Sequence, residues 1–168
     1  MSLIKTERLL LSCLTEEDAP FILELLNTPG WLQFIGDRGI RDLDDARNYI
    51  LNGPAISYLK NNFGLYLVRI KDGDISIGIC GLIKRDTLDD VDIGFAFLPR
   101  YTQNGYATEA AMAVLEDAWI TLGIKRIVAI TNTDNADSIK VLKRIGMKYE
   151  KMIKSPNDET DLMLFGTG

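Results

Sequence analysis

The middle of the chain alternates apolar and polar residues in the way that is typical of β-strands. Residues 63–71 and 91–98 show this alternation, and residues 75–84 form a mostly apolar run between them. The intervening Lys-Asp-Gly-Asp sequence at 71–74 is a turn signal. We therefore predict three consecutive strands in an antiparallel meander.

Helical spacing of apolar residues is clearest at residues 105–122, which predict the strongest helix. Its apolar stripe comprises Ala107, Ala110, Ala111, Val114, Leu115, Ala118 and Trp119, and Gly123 ends it. Further helices are predicted at 15–27, from Asp42 to about 52, and at 135–145. The helix that begins at Asp42 is interrupted by Gly53-Pro54 and is predicted to continue at residues 55–59. Residues 31–35 are an apolar patch for which no secondary structure is predicted.

Four more strands complete the pattern, at residues 8–14, 126–131, 147–154 and 161–165, with a turn at 155–158 between the last two. The order β-α-α-β-β-β-α-β-α-β-β predicts an α+β fold with a mixed sheet of about six to seven strands and helices on both faces. A length of 168 residues is that of a single domain, residues 1–168.

The charge of the chain argues against anionic partners. Nineteen Lys and Arg residues against twenty-four Asp and Glu residues give a net charge of −5, so neither nucleic acid nor a membrane surface is an expected partner. Apolar runs stay short of a membrane span, and Glu7 and Arg8 stand where a signal peptide would be apolar. We expect a cytoplasmic location.

The chain contains no histidine, which excludes Ser-His-Asp and Cys-His catalysis and histidine-based metal sites. Cys13 and Cys80 lack metal-ligand spacing and lie in apolar runs, so we interpret them as small buried hydrophobes. No metal site is predicted. Any catalysis must use carboxylates, hydroxyls, backbone amides or a cofactor.

The segment from Leu98 to Glu109 is the best candidate for binding an anion. A strand ends, a short polar loop follows, and a helix begins at Gly105, where unpaired N–H groups and the helix dipole favour a phosphate. Arg100 would add positive charge. The alternative is that the small residues only cap the helix. Neither GxxxxGK[ST] nor GxGxxG occurs, which disfavours a P-loop or a Rossmann fold.

Four segments together resemble the GNAT acyl-CoA-dependent N-acetyltransferases: VDIGFAFLP, YTQNGYATEAA, LGIKRI and NTDNADSIKVLKRIGM. The opening TERLLLSCLTEEDA is similar to the RimJ/RimL-like branch, the ribosomal-protein N-terminal acetyltransferases. The resemblance implies an enzyme that transfers an acetyl group from acetyl-CoA to a primary amine by direct attack in a ternary complex. The amine would belong to a protein N-terminus or to a small molecule.

The resemblance also implies where acetyl-CoA binds. Its pyrophosphate would meet the backbone amides of Gln103, Asn104, Gly105, Tyr106, Ala107 and Thr108. Its pantetheine arm would pair with Phe95, Ala96 and Phe97, at a place where this strand splays from the strand at 126–131. Asn135 would reach the cofactor from the neighbouring loop, although helix capping alone also explains Asn135 and Ser138.

The chain departs from the family pattern at three positions. Thr102 stands where the family has Arg or Gln, and Leu142 stands where many members have a proton-donating tyrosine. We therefore expect Ser138 to assist the leaving thiolate. Asp92 stands where the branch often has a glutamate, and it is our candidate general base, through a bridging water. The alternative for Asp92 is an outward-facing strand residue.

The family resemblance also implies that the segment from Thr28 to Tyr58 selects the acceptor. Trp31, Phe34 and Tyr49 in this segment are candidate walls of the substrate-binding site. Acidic residues there, Asp37, Asp42, Asp44 and Asp45, would either attract a cationic amine or form a solvated face. A homodimer is the favoured assembly. The alternative functions are a non-catalytic acyl-CoA-binding module with the same fold and a structural domain whose anion site is only a helix cap.

Overall fold

The structure, a computed structural model, describes residues 3–155 and 158–168. Within these ranges eight strands form one sheet in the order β1-β2-β3-β4-β5-β6-β8-β7. They are β1 (Ile4–Lys5), β2 (Leu9–Cys13), β3 (Leu65–Ile70), β4 (Ile75–Ile83), β5 (Val91–Phe97), β6 (Ile127–Asn132), β7 (Lys148–Lys154) and β8 (Asp161–Gly166). Neighbouring strands are antiparallel except β5 and β6, which are parallel.

The mixed sheet and the antiparallel meander β3-β4-β5 confirm the sequence prediction. The sheet has one strand more than the six to seven expected, because the two-residue β1 pairs with β2 through Ile4 and Leu11. So short a strand leaves no alternation to recognise. The predicted turn between β7 and β8 lies partly outside the described residues.

The helices are α1 (Ala19–Leu25), α2 (Pro29–Phe34), α3 (Leu43–Asn52), α4 (Pro54–Asn61), α5 (Tyr106–Ile120) and α6 (Ala136–Arg144). The apolar patch at 31–35, for which no form was predicted, is mostly helix α2. Pro29 occupies its first position, where a missing N–H costs nothing, and the Thr28 side chain accepts a hydrogen bond from the Trp31 amide. In the described part of the chain, four helices therefore precede β3.

Two hydrophobic clusters cover the two faces of the sheet. Tyr66 and Val68 point to the face that packs against α5, and Leu67 between them points to the face of α1 and α3. The predicted stripe of α5 is buried from Ala110 to Ala118, but Trp119 at its edge is 44% exposed. No helix in the described ranges is long and apolar enough to cross a membrane.

The predicted divergence of β5 and β6 is present. These strands pair only through Val91 with Ile127 and Asp92 with Val128. Beyond Asp92, β6 pairs instead with β8 along its other edge, from Val128 to Asn132. The strands therefore form a V that is closed at Asp92 and opens toward the start of α5 and α6.

Candidate active site

The V between β5 and β6 contains a cavity of about 1170 Å³. Its walls also include α2, α4, α6 and the beginning of α5. The sequence-predicted residues that line it are Trp31, Phe34, Tyr49, Asp92, Phe95, Ala96, Phe97, Gln103, Gly105, Ala107, Thr108, Asn135 and Ser138. The fold thus gathers segments that are far apart in the chain into one site. Asn104 and Tyr106 lie in the same loop but do not line the cavity.

The start of α5 presents backbone amides that no described residue accepts from. Gly105 is the N-cap with a φ of +81°, a conformation that favours glycine, and it contributes no side-chain cap. The first hydrogen bond of the helix is donated by the Glu109 amide to the Gly105 carbonyl, at 3.0 Å. The amides of Tyr106, Ala107 and Thr108 precede that bond and have no acceptor within the described residues. They are therefore available to an anion, as the sequence predicted for this turn.

The cation beside this turn is Arg8, whereas the sequence suggested Arg100. Arg100 pairs with Glu24 at 3.2 Å and stays largely exposed, and neither arginine lines the cavity itself. The Arg8 Nη1 donates to the Asn104 carbonyl at 3.1 Å, and its guanidinium lies 4.4 Å from the centre of the Tyr106 ring. No local sequence signal connects Arg8 with this loop, because 96 positions separate it from Asn104.

Asp92 lies at the closed end of the V and is only 1% exposed, so the outward-facing interpretation is wrong. It pairs with Ile83 in the β4–β5 register, on the same face as Ala96 and the helices α1 and α3. Burial raises the pKa of the Asp92 carboxyl above its ordinary value, and the Arg85 guanidinium, whose Nε lies 3.1 Å from Oδ1, partly offsets that rise. A carboxylate in such a setting is a better proton acceptor than an exposed one.

Ser138 and Asn135 meet the cavity from the first turn of α6. The Asn135 Oδ1 accepts a hydrogen bond from the Ser138 amide at 3.3 Å, which confirms the predicted cap. The side-chain NH₂ of Asn135 and the hydroxyl of Ser138 have no partner among the described residues. Leu142, which replaces the usual tyrosine, is 1% exposed and belongs to the hydrophobic core.

Two buried polar atoms belong to residues that line this cavity: one on Thr131, which sequence analysis missed, and one on Trp31, which it named only as a wall. The Thr131 hydroxyl on β6 and the Trp31 indole nitrogen on α2 have no hydrogen-bond partner within the described residues. Alternation puts Thr131 on the same face of β6 as Ala129, toward α5 and α6, whereas Trp31 packs in the cluster of α1 and α3. The only sequence signal for Thr131 is a hydroxyl near the end of an otherwise apolar strand.

The four acidic residues that the sequence offered for the acceptor side do not line the cavity: Asp37, Asp42, Asp44 and Asp45. Asp37 pairs with Arg41 and Asp44 with Arg47, while the Asp42 side chain accepts from the Asp45 amide as the cap of α3. Of the two sequence interpretations, the structure favours the solvated face. The charged residues that line this side are mainly basic.

Comparison with known proteins decides the family. The chain matches the family model of the acetyltransferase (GNAT) domain over residues 8–148. The chain belongs to the GNAT acetyltransferase family. It is 29% identical over 151 residues to the uncharacterized N-acetyltransferase YnaD of Bacillus subtilis, covering 90% of this chain and 85% of that one. The uncharacterized N-acetyltransferase p20 of Bacillus licheniformis is 26% identical, with coverage of 92% and 86%.

Solved structures of GNAT acetyltransferases share the fold. The GNAT acetyltransferase of Bacillus anthracis has a TM-score of 0.81 and 25% identity, covering 98% of this chain and 97% of that chain. RimL, the ribosomal L7/L12 alpha-N-protein acetyltransferase, was solved in complex with coenzyme A. It has a TM-score of 0.83, 18% identity and coverage of 98% and 97%. This GNAT protein is therefore an acetyl-CoA-dependent N-acetyltransferase, and a non-catalytic binding module is not favoured.

Proposed function

We propose that the enzyme acetylates the primary amine of a protein N-terminus or a small molecule, as a member of the RimJ/RimL-like branch. The observation that carries this proposal is that the unpaired amides at the start of α5 and the buried carboxylate of Asp92 belong to one cavity. Support for the branch comes from the opening TERLLLSCL segment.

The residues present fit acetyl-CoA. The amides from Gln103 to Thr108 would hold its pyrophosphate, since helix N-termini bind phosphate. The edge of β5 at Phe95, Ala96 and Phe97, which β6 leaves unpaired, would hold the pantetheine arm. When bound, acetyl-CoA supplies an activated acetyl carbonyl. Backbone N–H groups on this edge would stabilise the oxyanion that develops on that carbonyl.

Acetyl transfer then needs a neutral amine and a place for its proton. The amine nitrogen forms a bond to the acetyl carbon, the carbon–sulfur bond breaks, and the thiolate leaves. Asp92 accepts the proton of the amine through a water, and the Ser138 hydroxyl donates a hydrogen bond to the thiolate. Neither Cys13 nor Cys80 lines the cavity, which supports direct attack without an acyl-cysteine.

Isothermal titration with acetyl-CoA and with CoA tests the proposal at the cofactor site. Wild-type protein should bind both, and Gly105→Glu should abolish binding, because the added carboxylate would repel the pyrophosphate. Gly123→Glu is the matched control, since Gly123 also has a positive φ, of +68°, but lies in open space at the opposite end of α5. Folded wild type that does not bind acetyl-CoA would contradict the proposal.

A homodimer and a cytoplasmic location belong to the same proposal. The dimer is supported by β7, an edge strand of the sheet, where Tyr149 is 50% and Met152 is 43% exposed. Analytical ultracentrifugation of wild type and of Met152→Glu tests it. A monomer at micromolar concentration would contradict the dimer and leave the proposed chemistry untouched.

A further inference from the structure

The acceptor side of the cavity contains hydrogen-bond donors that have no acceptor among the described residues. The Trp31 indole N–H, which can only donate, is buried without a partner in the described part of the chain. Arg38 lines the cavity and forms no ion pair among the described residues. Arg85 uses Nε on Asp92, and its two terminal nitrogens have no acceptor in the same ranges.

Arg38, Arg85 and Tyr49 all line this cavity. Burial raises the pKa of the Tyr49 phenol above its ordinary value, while the positive charges of Arg38 and Arg85 each lower it. The two guanidinium groups are thus within electrostatic reach of a single hydroxyl. Trp31 and Tyr49 pack in the hydrophobic cluster on the face of the sheet to which Asp92 belongs.

The remaining charges that line the cavity do not neutralise the two arginines. Lys84 also lines the cavity, and it donates to a backbone carbonyl, that of Leu88 at 2.9 Å, which does not neutralise its positive charge. Lys60 adds another positive charge, and the lining carboxylates among the described residues are Asp86, Asp92 and Asp137, against six lining Lys and Arg residues. Positive charge therefore accumulates here in a chain whose net charge is −5. Such a surface would repel a polyamine.

We propose that the acceptor is an amine that carries a carboxylate near its amino group, and that Arg38, which lines the cavity, binds this carboxylate. The inference rests on the proposed function, because it names the substrate of the same site. The planar guanidinium of an arginine matches the two acceptor oxygens of a carboxylate. Arg85 lines the same cavity and donates to Asp92 at 3.1 Å, so it favours the ionised form of Asp92 that accepts the proton of the amine.

A binding experiment tests the carboxylate without the chemistry. Products lack the reactive amine, so N-acetylated amino acids and their C-terminal amides are titrated into the complex of the protein with CoA. A second arm uses N-acetylated dipeptide amides with Glu or Gln as the second residue, which separates a free amino acid from a peptide N-terminus. We expect the carboxylate member of one arm to bind about tenfold more tightly than its amide.

Steady-state kinetics of Arg38→Gln test whether Arg38 binds the carboxylate of the acceptor. We expect KM for the preferred carboxylate acceptor to rise about tenfold with kcat nearly unchanged, while KM for the matched amide stays as it is. Arg47→Gln is the control, since Arg47 pairs with Asp44 on α3 and lies outside the cavity lining. Arg38→Glu should reverse the preference in favour of cationic amines.

The outcomes separate this inference from the function on which it rests. Wild type that binds acetyl-CoA and acetylates amides or polyamines as well as carboxylates overturns the inference alone. Equal binding of each carboxylate and its amide to the CoA complex overturns it too. Failure to bind acetyl-CoA at all overturns the proposed function, and the inference with it.

Discussion

Arg8 and Glu109 join the first strands of the sheet to the helix that begins the anion site. The Arg8 Nε donates to the Glu109 Oε1 at 2.7 Å, and the Arg8 amide donates to Oε2 at 3.0 Å. The Thr6 hydroxyl donates to the same Oε2 at 2.5 Å. Because Arg8 also holds the Asn104 carbonyl, one side chain connects the first turn of α5 with the loop before it.

We expect Arg8→Ala to weaken the binding of acetyl-CoA through the pyrophosphate. The substitution removes a positive charge beside the loop and releases the turn at Asn104. KM for acetyl-CoA should rise about tenfold, which is the loss of one or two charged hydrogen bonds. Initial rates with acetyl-CoA and with acetyl-pantetheine, a donor without the pyrophosphate, measure this effect.

The control for Arg8 is Arg100→Ala, which removes an exposed arginine near the same loop. It should leave KM for both donors nearly unchanged. An equal rise for acetyl-CoA and acetyl-pantetheine in Arg8→Ala would show that the residue supports the fold in general, and would contradict its role at the pyrophosphate.

Glu109 makes the stability of the protein depend on pH in the acidic range. Partial burial raises the pKa of the Glu109 carboxyl, but hydrogen bonds from Thr6 and Arg8 outweigh that rise and hold it below its usual 4.5. A pKa lower in the folded state contributes stability above the unfolded value, and that stability is lost as pH falls through the folded value. Glu109→Gln should therefore lower the free energy of unfolding by about 1–3 kcal/mol at pH 7.

Denaturant unfolding at pH 7 and at successively lower pH, in wild type and Glu109→Gln, checks this prediction. The difference should shrink as pH falls below 4.5, the usual value for glutamate, because protonated Glu109 then resembles glutamine. Asp44→Asn, which breaks an exposed ion pair, should change stability little at either pH. A constant difference across the pH range would contradict the assignment.

The sequence was informative wherever the signal was local. Helix α5, the glycine that starts it and the Asn135 cap depend on residues a few positions apart, and all three were predicted. The order of the strands along the chain was predicted from the alternation of apolar and polar residues and from turn residues. The splay of β5 and β6 came from the family resemblance and not from the residue pattern.

The features of the site that were not predicted depend on contacts between residues far apart in the chain. Arg8 meets Glu109 across 101 positions, and nothing in the local pattern indicates it. Asp92 alternates like an outward residue, but helices cover that face of the sheet and bury it. The unpartnered Thr131 hydroxyl becomes visible only when every neighbour is placed, because a missing partner is a property of the whole fold.

Asp92→Asn should lower kcat by about 10²–10⁴-fold while acetyl-CoA still binds, since the amide cannot accept the proton and the ion pair with Arg85 is lost with it. Because the pKa of Asp92 is raised, the wild-type plot of log kcat/KM against pH should become steeper as pH falls. The break should lie above the ordinary aspartate value of about 3.9. In Arg85→Gln this break should move to higher pH, because the cation that lowers the pKa of Asp92 is gone. Arg85→Lys should largely restore it.

If the profile of Arg85→Gln breaks at the same pH as that of wild type, the proposed role of the ion pair is contradicted. Wild-type rates in Asp92→Asn would exclude Asp92 as the base. Both profiles are measured with one acceptor, so that titration of its amine is the same in every variant.

Thr131→Val separates a structural role from a ligand-binding role. A buried hydroxyl without a partner destabilises the ligand-free fold, and valine fills the same space without it. The free energy of unfolding of the ligand-free protein should rise by about 1 kcal/mol. If the hydroxyl is satisfied by the bound cofactor, the affinity for acetyl-CoA falls several-fold in the same variant. Calorimetry and denaturant unfolding give the two numbers.

The neighbouring Thr133 offers the control, because it is exposed and lies outside the cavity lining. Thr133→Val should alter neither quantity. A more stable Thr131→Val that binds acetyl-CoA as tightly as wild type would mean that the hydroxyl serves neither the fold nor the cofactor. A less stable variant would instead point to an ordered water as its partner, since such a water satisfies a buried hydroxyl as well as a protein group does.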